Sequence, residues 1–276
     1  MSETLHGLFD SHAHYFDARF EREAEGGADA ILRGILPEPV SRILNVGTNC
    51  RNSRLAVRQA AVYDGMYAAV GIHPEDCHYE ADADAALGEL RELLGTPESR
   101  RRDKIVALGE IGLDYHYANY GEIPLDKARQ MYYFEAQLRM AQELELPVII
   151  HNREAHGDCF ETVLRHPGVR GVFHSYSGSA ELARELTRRG WYLSFSGTLT
   201  FRNASRVREA AQAVPHDRLL VETDAPYLAP HPMRGRLNHS EYLHYTVETL
   251  AGLWGCSPQQ AAEQTARNAV ALFGLS

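Results

Sequence analysis

The residues with the clearest chemical potential lie in the segment Asp10-Ser11-His12-Ala13-His14, directly after the apolar pair Leu8-Phe9. Alternate side chains of a β-strand share a face, so Asp10, His12 and His14 fall on one side of a strand that runs through them. His12 and His14 are then roughly 6 to 7 Å apart along the chain. Two imidazoles at that spacing can converge on one cation, although a single histidine more often has a surface or packing role.

Residue types that bind metals recur after the later apolar runs of the chain. A polar residue at one strand end is often only a cap or a loop residue. Five or six strand ends that carry His, Glu or Asp are hard to explain in that way, and they indicate a cluster built from several strands. In chain order, the residues that follow the third, fourth, fifth, sixth and eighth runs are His73, Glu110, His151, His174 and Asp224.

The elements that would position this cluster are eight short apolar runs bounded by turn residues, each typical of a buried strand. The runs are 8–10, 43–46, 67–70, 105–108, 148–150, 172–173, 192–195 and 219–221. Segments with helical periodicity separate them. These are 54–63, 83–94, 125–146, 180–189 and 204–214. The segment 96–104, with three consecutive arginines, is predicted to be a solvated loop before the fourth strand.

This alternation predicts parallel βαβ units, and eight strands favour closure into one TIM-type (β/α)8 barrel, a single α/β domain over residues 1–276. An open doubly wound sheet is the alternative, but no GxGxxG motif follows the first strand to support a dinucleotide-binding version. In a barrel of this type, active sites form at the carboxyl ends of the strands. The fold prediction therefore places the polar strand ends together.

Composition excludes several classes of protein. The 276 residues are 44% hydrophobic and 24% charged, without an apolar run near the ~18 residues that span a bilayer, so we expect a globular protein with no membrane partner. Residues 1–8 have neither a basic nor an apolar region typical of a secretory signal, which predicts a cytoplasmic location. The net charge of −9 argues against an extended basic face for nucleic acid, but it permits a local site where metal ions supply positive charge.

Several motifs together resemble the TatD-type metal-dependent deoxyribonucleases of the amidohydrolase-like barrel superfamily. The resemblance covers nearly the whole chain, and the TIM-like barrel that it implies agrees with the strand count. The motifs are DSHAH at 10–14, GIHP at 71–74, GEIGLDY at 109–115, LPVIIHNRE at 146–154 and ETDAPYLAP at 222–230, followed by a closing helix with Asn268 and Phe273.

The resemblance implies a pair of divalent cations, with Mg²⁺ expected and Mn²⁺ or Zn²⁺ as alternatives. One metal would be held by His12, His14, Glu110 and Asp224, and the second by Glu110, His151 and His174. Glu110 is then the bridging ligand. Two metals about 3.5 to 4 Å apart can share a water molecule and lower its pKa towards ~7. Asp224 would orient that water and take its proton, so Asp224 and Glu110 are the predicted catalytic residues.

The predicted substrate contacts are His73 and Arg153, both to phosphate. An ion pair with a neighbouring carboxylate is the alternative for Arg153, and Glu222 is a candidate partner of a metal ligand rather than a ligand itself. Surface or capping roles are predicted for six other histidines, which match no motif. They are His78, His116, His156, His166, His216 and His231.

The chain departs from the family pattern in two places. HSYSG at 174–178 replaces HCFSG, and RGRLNHS at 234–240 replaces RGKRNEP. We expect the second segment to border the mouth of the site, with Arg234 and Arg236 as further substrate contacts. The predicted function is a nuclease that removes nucleotides from single-stranded DNA ends. The alternatives are a small-molecule hydrolase of an amide, lactone or phosphoester, and a non-catalytic binding protein on the same scaffold.

Overall fold

A computed structural model describes residues 5–116 and 124–275. Eight parallel strands form one sheet in the order of the chain, and each apolar run found in the sequence lies within one of them. The strands are β1 (Leu8–Ala13), β2 (Val40–Val46), β3 (Met66–Val70), β4 (Ile105–Asp114), β5 (Val148–Arg153), β6 (Gly171–Phe173), β7 (Tyr192–Phe195) and β8 (Leu219–Val221).

The sheet closes on itself between β1 and the segment that follows β8. Ala13 and Ala225 form a parallel bridge. The Asp224 amide donates a hydrogen bond to the His12 carbonyl at 2.9 Å, and the His14 amide donates to the Ala225 carbonyl at 2.7 Å. The predicted TIM-type (β/α)8 barrel is therefore confirmed, and the open doubly wound sheet is excluded.

Helices connect the strands, and all five that periodicity predicts are present. The largest difference between predicted and observed bounds is at the helix predicted from residue 54, which begins at Cys50 because the Asn49 side chain caps it by accepting a hydrogen bond from the Asn52 amide. The helices are α1 (Ala18–Glu23), α2 (Gly27–Ile35), α3 (Cys50–Val62), α4 (Ala83–Leu94), α5 (Pro97–Arg102), α6 (Lys127–Leu144), α7 (His156–Leu164), α8 (Ala180–Arg188), α9 (Ser205–Ala213), α10 (Leu243–Trp254) and α11 (Pro258–Phe273).

The prediction of a solvated loop at 96–104 is wrong, because helix α5 occupies most of this segment. Thr96 and Ser99 form a capping box, and Pro97 occupies the first turn, where its missing N–H costs nothing. Arg100 is buried, and its guanidinium donates to the carbonyls of Leu94 and Gly95 at 3.2 and 2.8 Å. The arginine therefore satisfies carbonyl groups left open at the end of α4.

Apolar side chains fill the interior of the barrel, and the polar residues of the site lie at the strand ends. Leu44, Ile149 and Leu220 belong to an inner cluster that also packs against Leu272 and Phe273 of α11. A second, larger cluster lies between the strands and the surrounding helices. Within the described ranges, no helix has both the length and the apolar character needed to cross a bilayer.

Candidate metal centre and active site

The six predicted metal ligands come together at the carboxyl ends of the strands. His12, Glu110 and His151 lie on strands, whereas His14, His174 and Asp224 follow β1, β6 and β8. Within the described part of the chain, the possible ligand atoms form three overlapping groups whose members lie within 4.8 Å of one another. The groups are His12, His14 and Glu110; His12, His174 and Asp224; and His73, Glu110 and His151.

Glu110 lies at the centre of this cluster, and its two oxygens face different histidines. Oε2 lies 3.3 Å from His12 Nε2 and 3.8 Å from His14 Nε2. Oε1 lies 2.8 Å from His151 Nδ1 and 2.7 Å from His174 Nε2. This arrangement is the one expected of a carboxylate that bridges two cations.

The backbone around Glu110 follows an irregular path that the sequence did not predict. Strand β4 continues beyond Leu108 to Asp114, and its register against β5 shifts between Leu108 and Ile111. A Cβ on Gly71 would lie 2.6 Å from the Gly109 carbonyl carbon, so only glycine lets the ends of β3 and β4 approach this closely. The close approach positions Glu110 at the centre of the barrel mouth.

Asp224 reaches the cluster from a backbone in the left-handed region, with φ of 58°. Aspartate tolerates that region better than most residues. Its Oδ1 lies 3.3 Å from His14 Nε2 and 3.7 Å from His12 Nε2. Burial raises its pKa, but the hydrogen bond from His14 and the charges of nearby histidines bring the pKa of Asp224 below its usual value. Asp224 is therefore anionic at neutral pH, the form that binds a cation or accepts a proton.

Three of the predicted histidine ligands are oriented through their second ring nitrogen. His14 Nδ1 donates to the Val46 carbonyl at 2.7 Å, His151 Nε2 to Asp114 Oδ2 at 3.0 Å, and His174 Nδ1 to Glu222 Oε1 at 3.2 Å. These bonds select the tautomer in which the nitrogen facing the cluster can bind a metal. Glu222 thus supports a predicted ligand, in the role considered for it from the sequence.

Asp114 is a candidate site residue that the sequence did not single out. Its carboxylate orients His151, and its backbone is held in turn by Gln130 of α6, which accepts from the Asp114 amide and donates to its carbonyl, both at 2.9 Å. The signal lay in the GEIGLDY motif, where Asp114 follows Glu110 by four residues and so shares its strand face in regular β-structure.

The histidines facing Glu110 and the outer carboxylates have shifted pKa values. Burial lowers the pKa of His151, but hydrogen bonds to Asp114 and Glu110 raise it to about 9 overall. For His174, burial is outweighed by the charges of Glu110 and Glu222, which raise its pKa well above the usual value. Divalent cations bound at these nitrogens must therefore replace protons.

His73 differs from the other histidines of the cluster. Its Nδ1 accepts a hydrogen bond from the Glu75 amide at 3.1 Å, and its Nε2 lies 3.4 Å from Glu110 Oε1. An acceptor at Nδ1 places the proton of the neutral ring on Nε2. His73 thus presents a hydrogen-bond donor to the site, which suits a contact to an anionic oxygen better than it suits a metal ligand.

A cavity of about 810 Å³ opens over the cluster, and both predicted substrate contacts, His73 and Arg153, line it. Arg153 is exposed, and within the described residues no carboxylate forms an ion pair with it. Its guanidinium is therefore available to the cavity, as the predicted phosphate contact requires.

The segment 234–240 contributes no residue to the lining of this cavity, so the predicted contacts of Arg234 and Arg236 with substrate stay predictions. Arg234 and Arg236 are exposed and do not line it, and the Arg234 guanidinium lies over the Phe201 ring at 4.0 Å. The segment instead turns inward at Asn238, whose side chain donates to the Thr223 carbonyl at 2.9 Å. Its end supports the backbone beside Asp224.

Asp10 does not belong to any of the three ligand groups, although strand alternation grouped it with His12 and His14. Its carboxylate accepts hydrogen bonds from the Ser240 hydroxyl at 2.6 Å and from the amide and hydroxyl of Thr223 at 2.9 and 2.5 Å. Burial raises the pKa of Asp10 to about 6 against the opposing effect of these bonds. Asp10 thus fixes the two segments that flank Asp224.

The six histidines predicted to have surface or capping roles all lie outside the ligand groups. His116 Nδ1 lies 2.7 Å from Glu154, and His216 stacks on Trp254 with ring centroids 4.0 Å apart. His156 lies in the first turn of α7, where its Nδ1 is 2.9 Å from Asn152 Nδ2. These three histidines make structural contacts, and the roles of His78, His166 and His231 stay predictions.

A (β/α)8 barrel with a cluster of His and carboxylate side chains at its strand ends is typical of the class of metal-dependent hydrolases. The family model for TatD related DNases matches residues 9–274. The chain is 38% identical over 272 residues to the uncharacterized metal-dependent hydrolase YabD of Bacillus subtilis, covering 98% of this chain and all of that one. It therefore belongs to the TatD family of metal-dependent hydrolases.

Two further comparisons agree with this assignment. An uncharacterized metal-dependent hydrolase named TatD from Mycobacterium tuberculosis is 36% identical over 270 residues, which cover 97% of this chain and 98% of that protein. The crystal structure of YjjV, a TatD homolog from Escherichia coli, superimposes with a TM-score of 0.85 at 29% identity and covers 98% of each chain. The similarity thus extends through the whole barrel.

Proposed function

We propose that this protein is a deoxyribonuclease that uses two divalent cations to remove nucleotides from single-stranded DNA ends. The observation that carries the proposal is the position of Glu110, whose two oxygens face separate sets of histidines beneath an open cavity. The family description, TatD related DNase, supports DNA as the substrate. Action in the cytoplasm, as expected from the sequence, is part of the same proposal.

The donor set fits divalent cations. Imidazole nitrogens and carboxylate oxygens together accept Mg²⁺, Mn²⁺ or Zn²⁺. Hydrogen bonds at the second ring nitrogen direct the free nitrogens of His151 and His174 towards Glu110 and that of His14 towards Asp224 and Glu110. When bound, two such cations supply Lewis acidity that activates water and offsets the charge of the phosphodiester.

Side chains of this protein orient the water, accept its proton and bind the phosphates. Asp224, anionic and beside His14, orients the attacking water and accepts its proton. The His73 Nε2–H donates to a phosphate oxygen, because Nδ1 is already occupied by the Glu75 amide. Arg153 contacts a second phosphate from the exposed side of the cavity. A cavity of about 810 Å³ suits a terminal nucleotide rather than the interior of a duplex.

The experiment is hydrolysis of end-labelled single-stranded oligonucleotides by protein stripped with a chelator and then resupplied with Mg²⁺, Mn²⁺ or Zn²⁺. We expect stripping to abolish hydrolysis and at least one of these cations to restore it. Full activity in a preparation verified to be metal-free would contradict the two-metal proposal.

One observation favours a second candidate, a hydrolase of small phosphoesters. Among the described residues that line the cavity, Arg153 is the only arginine or lysine, so a long polyanion finds little positive side-chain charge there. A parallel assay with bis(p-nitrophenyl) phosphate separates the two candidates. If the wild type cleaves this ester but leaves oligonucleotide ends intact at matched metal and salt, the small-molecule function replaces the nuclease.

A further inference from the structure

Two aromatic rings flank the predicted metal ligand His14 at the mouth of the cavity. The Phe16 ring centroid lies 5.8 Å from that of His14, and the Tyr227 centroid lies 6.3 Å from it. Both residues line the cavity, and Tyr227 is 44% exposed. Because the Tyr227 side chain is this exposed, it contributes little to the core, and its position beside a predicted metal ligand suggests a role in binding.

Two side chains hold the Tyr227 ring, and a backbone hydrogen bond holds its main chain. Its hydroxyl donates to Asp17 Oδ2 at 2.6 Å, and the Arg19 guanidinium lies 5.5 Å from the ring centroid. Asp17 is itself fixed, because its other oxygen caps α1 by accepting from the Arg19 amide. The Tyr227 amide donates to the Asp224 carbonyl at 2.8 Å, which holds the backbone of Tyr227 next to that of Asp224.

Leu228, which follows Tyr227, adds a further apolar side chain to this side of the cavity. Leu228 lines the cavity with 36% of its surface exposed and has φ of 52°, a left-handed conformation that leucine rarely adopts. Strained backbone of this kind is often retained where it positions functional groups. In contrast, Arg153 and Ser177 line the cavity with polar groups.

We propose that Phe16 and Tyr227 form a stacking subsite for the nucleobase attached to the phosphate at the metal centre. This inference rests on the proposed nuclease function, and it names the part of the nucleotide that supplies affinity. A base is one sugar away from its phosphate, so a phosphate bound beside His14 brings its base to these rings. Stacking requires no positive charge and tolerates every base, which suits a chain with a net charge of −9.

The test compares two oligonucleotides of one sequence, one intact and one with abasic residues at both its 5′ and 3′ terminal positions. Stacking of one base contributes about 1–3 kcal/mol, so we expect the wild type to favour the intact substrate in kcat/KM by ~5- to 150-fold. In Tyr227→Ala and in Phe16→Ala this preference should fall towards one, mainly through KM. Tyr227→Phe keeps the ring and should retain most of the preference.

The chain offers a matched control in Tyr132 of α6. Tyr132 is 45% exposed and donates its hydroxyl to Asp84, but it does not line the cavity. Tyr132→Ala should therefore keep the wild-type preference for the intact substrate. Thermal melting and metal content of each variant show whether a loss of preference accompanies a loss of fold.

Two outcomes overturn the subsite and remain distinguishable. If the wild type cleaves both oligonucleotides with equal kcat/KM, or if Tyr227→Ala and Phe16→Ala keep the full preference, the nuclease stands and the stacking subsite is wrong. If the wild type hydrolyses bis(p-nitrophenyl) phosphate but neither oligonucleotide, the nuclease function fails and the subsite fails with it.

Discussion

The two ends of the metal centre are built differently. At the His12/His14 end, His14 is anchored by a backbone carbonyl, and His12 Nδ1 is buried without a hydrogen-bond partner among the described residues. At the His151/His174 end, each ring donates to a carboxylate, either Asp114 or Glu222. A carboxylate partner makes an imidazole a more basic and better-oriented ligand than a carbonyl does.

The pKa values of the histidines also differ between the two ends, because only one of the four rings, His12, has a lowered pKa. Burial lowers the pKa of His12, so this ring is neutral at pH 7 and can bind a cation without losing a proton. For His14, burial is outweighed by the hydrogen bond to Asp224 and the charges of Asp224 and Glu110, which raise its pKa. The pKa of His151 rises to about 9 through its carboxylate partners. Since two rings have a raised pKa at the His151/His174 end and one at the other, we expect tighter but more strongly proton-coupled metal binding at the His151/His174 end. The following changes test this comparison, from the largest expected effect to the smallest.

Glu110→Gln should have the largest effect, because it removes the charge that both ends share. We expect metal affinity to fall at both ends and kcat/KM to fall by about 10³-fold or more, as for the loss of several kcal/mol of charge stabilisation. Calorimetric titration and metal analysis of the purified variant measure the occupancy. Titration curves that match the wild type would remove Glu110 from its bridging position.

Asp224→Asn should lower kcat by ~10² or more while the barrel stays folded. The amide keeps the size of the side chain but loses the charge beside His14 and the capacity to take a proton. Metal loss should be confined to the His12/His14 end. Steady-state kinetics with metal analysis checks this, and near-normal turnover at full metal content would exclude the catalytic role.

Glu222→Gln and Asp114→Asn test the carboxylate anchors directly. Each should weaken metal binding at the His151/His174 end by about 10- to 100-fold, as is usual for loss of a group that orients a ligand. The His12/His14 end should bind as before. Titration with Mn²⁺ or Zn²⁺ measures the affinity of each end as a separate binding step. Equal weakening of both affinities would show that the anchors of the two ends do not differ in this way.

The pH dependence of metal binding should differ between the two ends. Below a pKa of about 9, His151 carries a proton that a cation must displace, so affinity should rise with pH towards 9 by up to tenfold per unit for each proton released. At the His12/His14 end the pKa of His12 is lowered and only that of His14 is raised, so at most one imidazole proton is released there, against two from His151 and His174, and the slope should be shallower. Titrations between pH 6 and 9 measure both slopes, and parallel slopes would contradict the comparison.

Arg153→Ala should have the smallest effect, a rise of a few-fold in KM for DNA with little change in kcat. Loss of one phosphate contact should also reduce the slope of log affinity against log salt by about 0.7 for a single strand. Arg236→Ala is the matched control, since Arg236 is exposed but does not line the cavity. If KM rose more in Arg236→Ala than in Arg153→Ala, the 234–240 segment would contact the substrate.

The sequence by itself predicted the barrel and the His, Glu and Asp residues at the carboxyl ends of its strands. Both features depend on local patterns: apolar runs specify buried strands, and the residue after each run lies at a strand end. Glu222 was considered as a partner of a metal ligand because it shares a strand end with Asp224, but only the structure shows that this ligand is His174. The substrate and the identity of the cations stay predictions.

Only the tertiary structure decided which nitrogen of each histidine faces Glu110, because the partners of the second nitrogen come from other strands. The role of Asp10 depended on Ser240, which lies 230 residues away along the chain. The register shift of β4 and the inward turn at Asn238 likewise arise from contacts between distant segments. Residue type and spacing report local conformation, whereas hydrogen-bond partners and side-chain orientation depend on packing that the closed barrel alone creates.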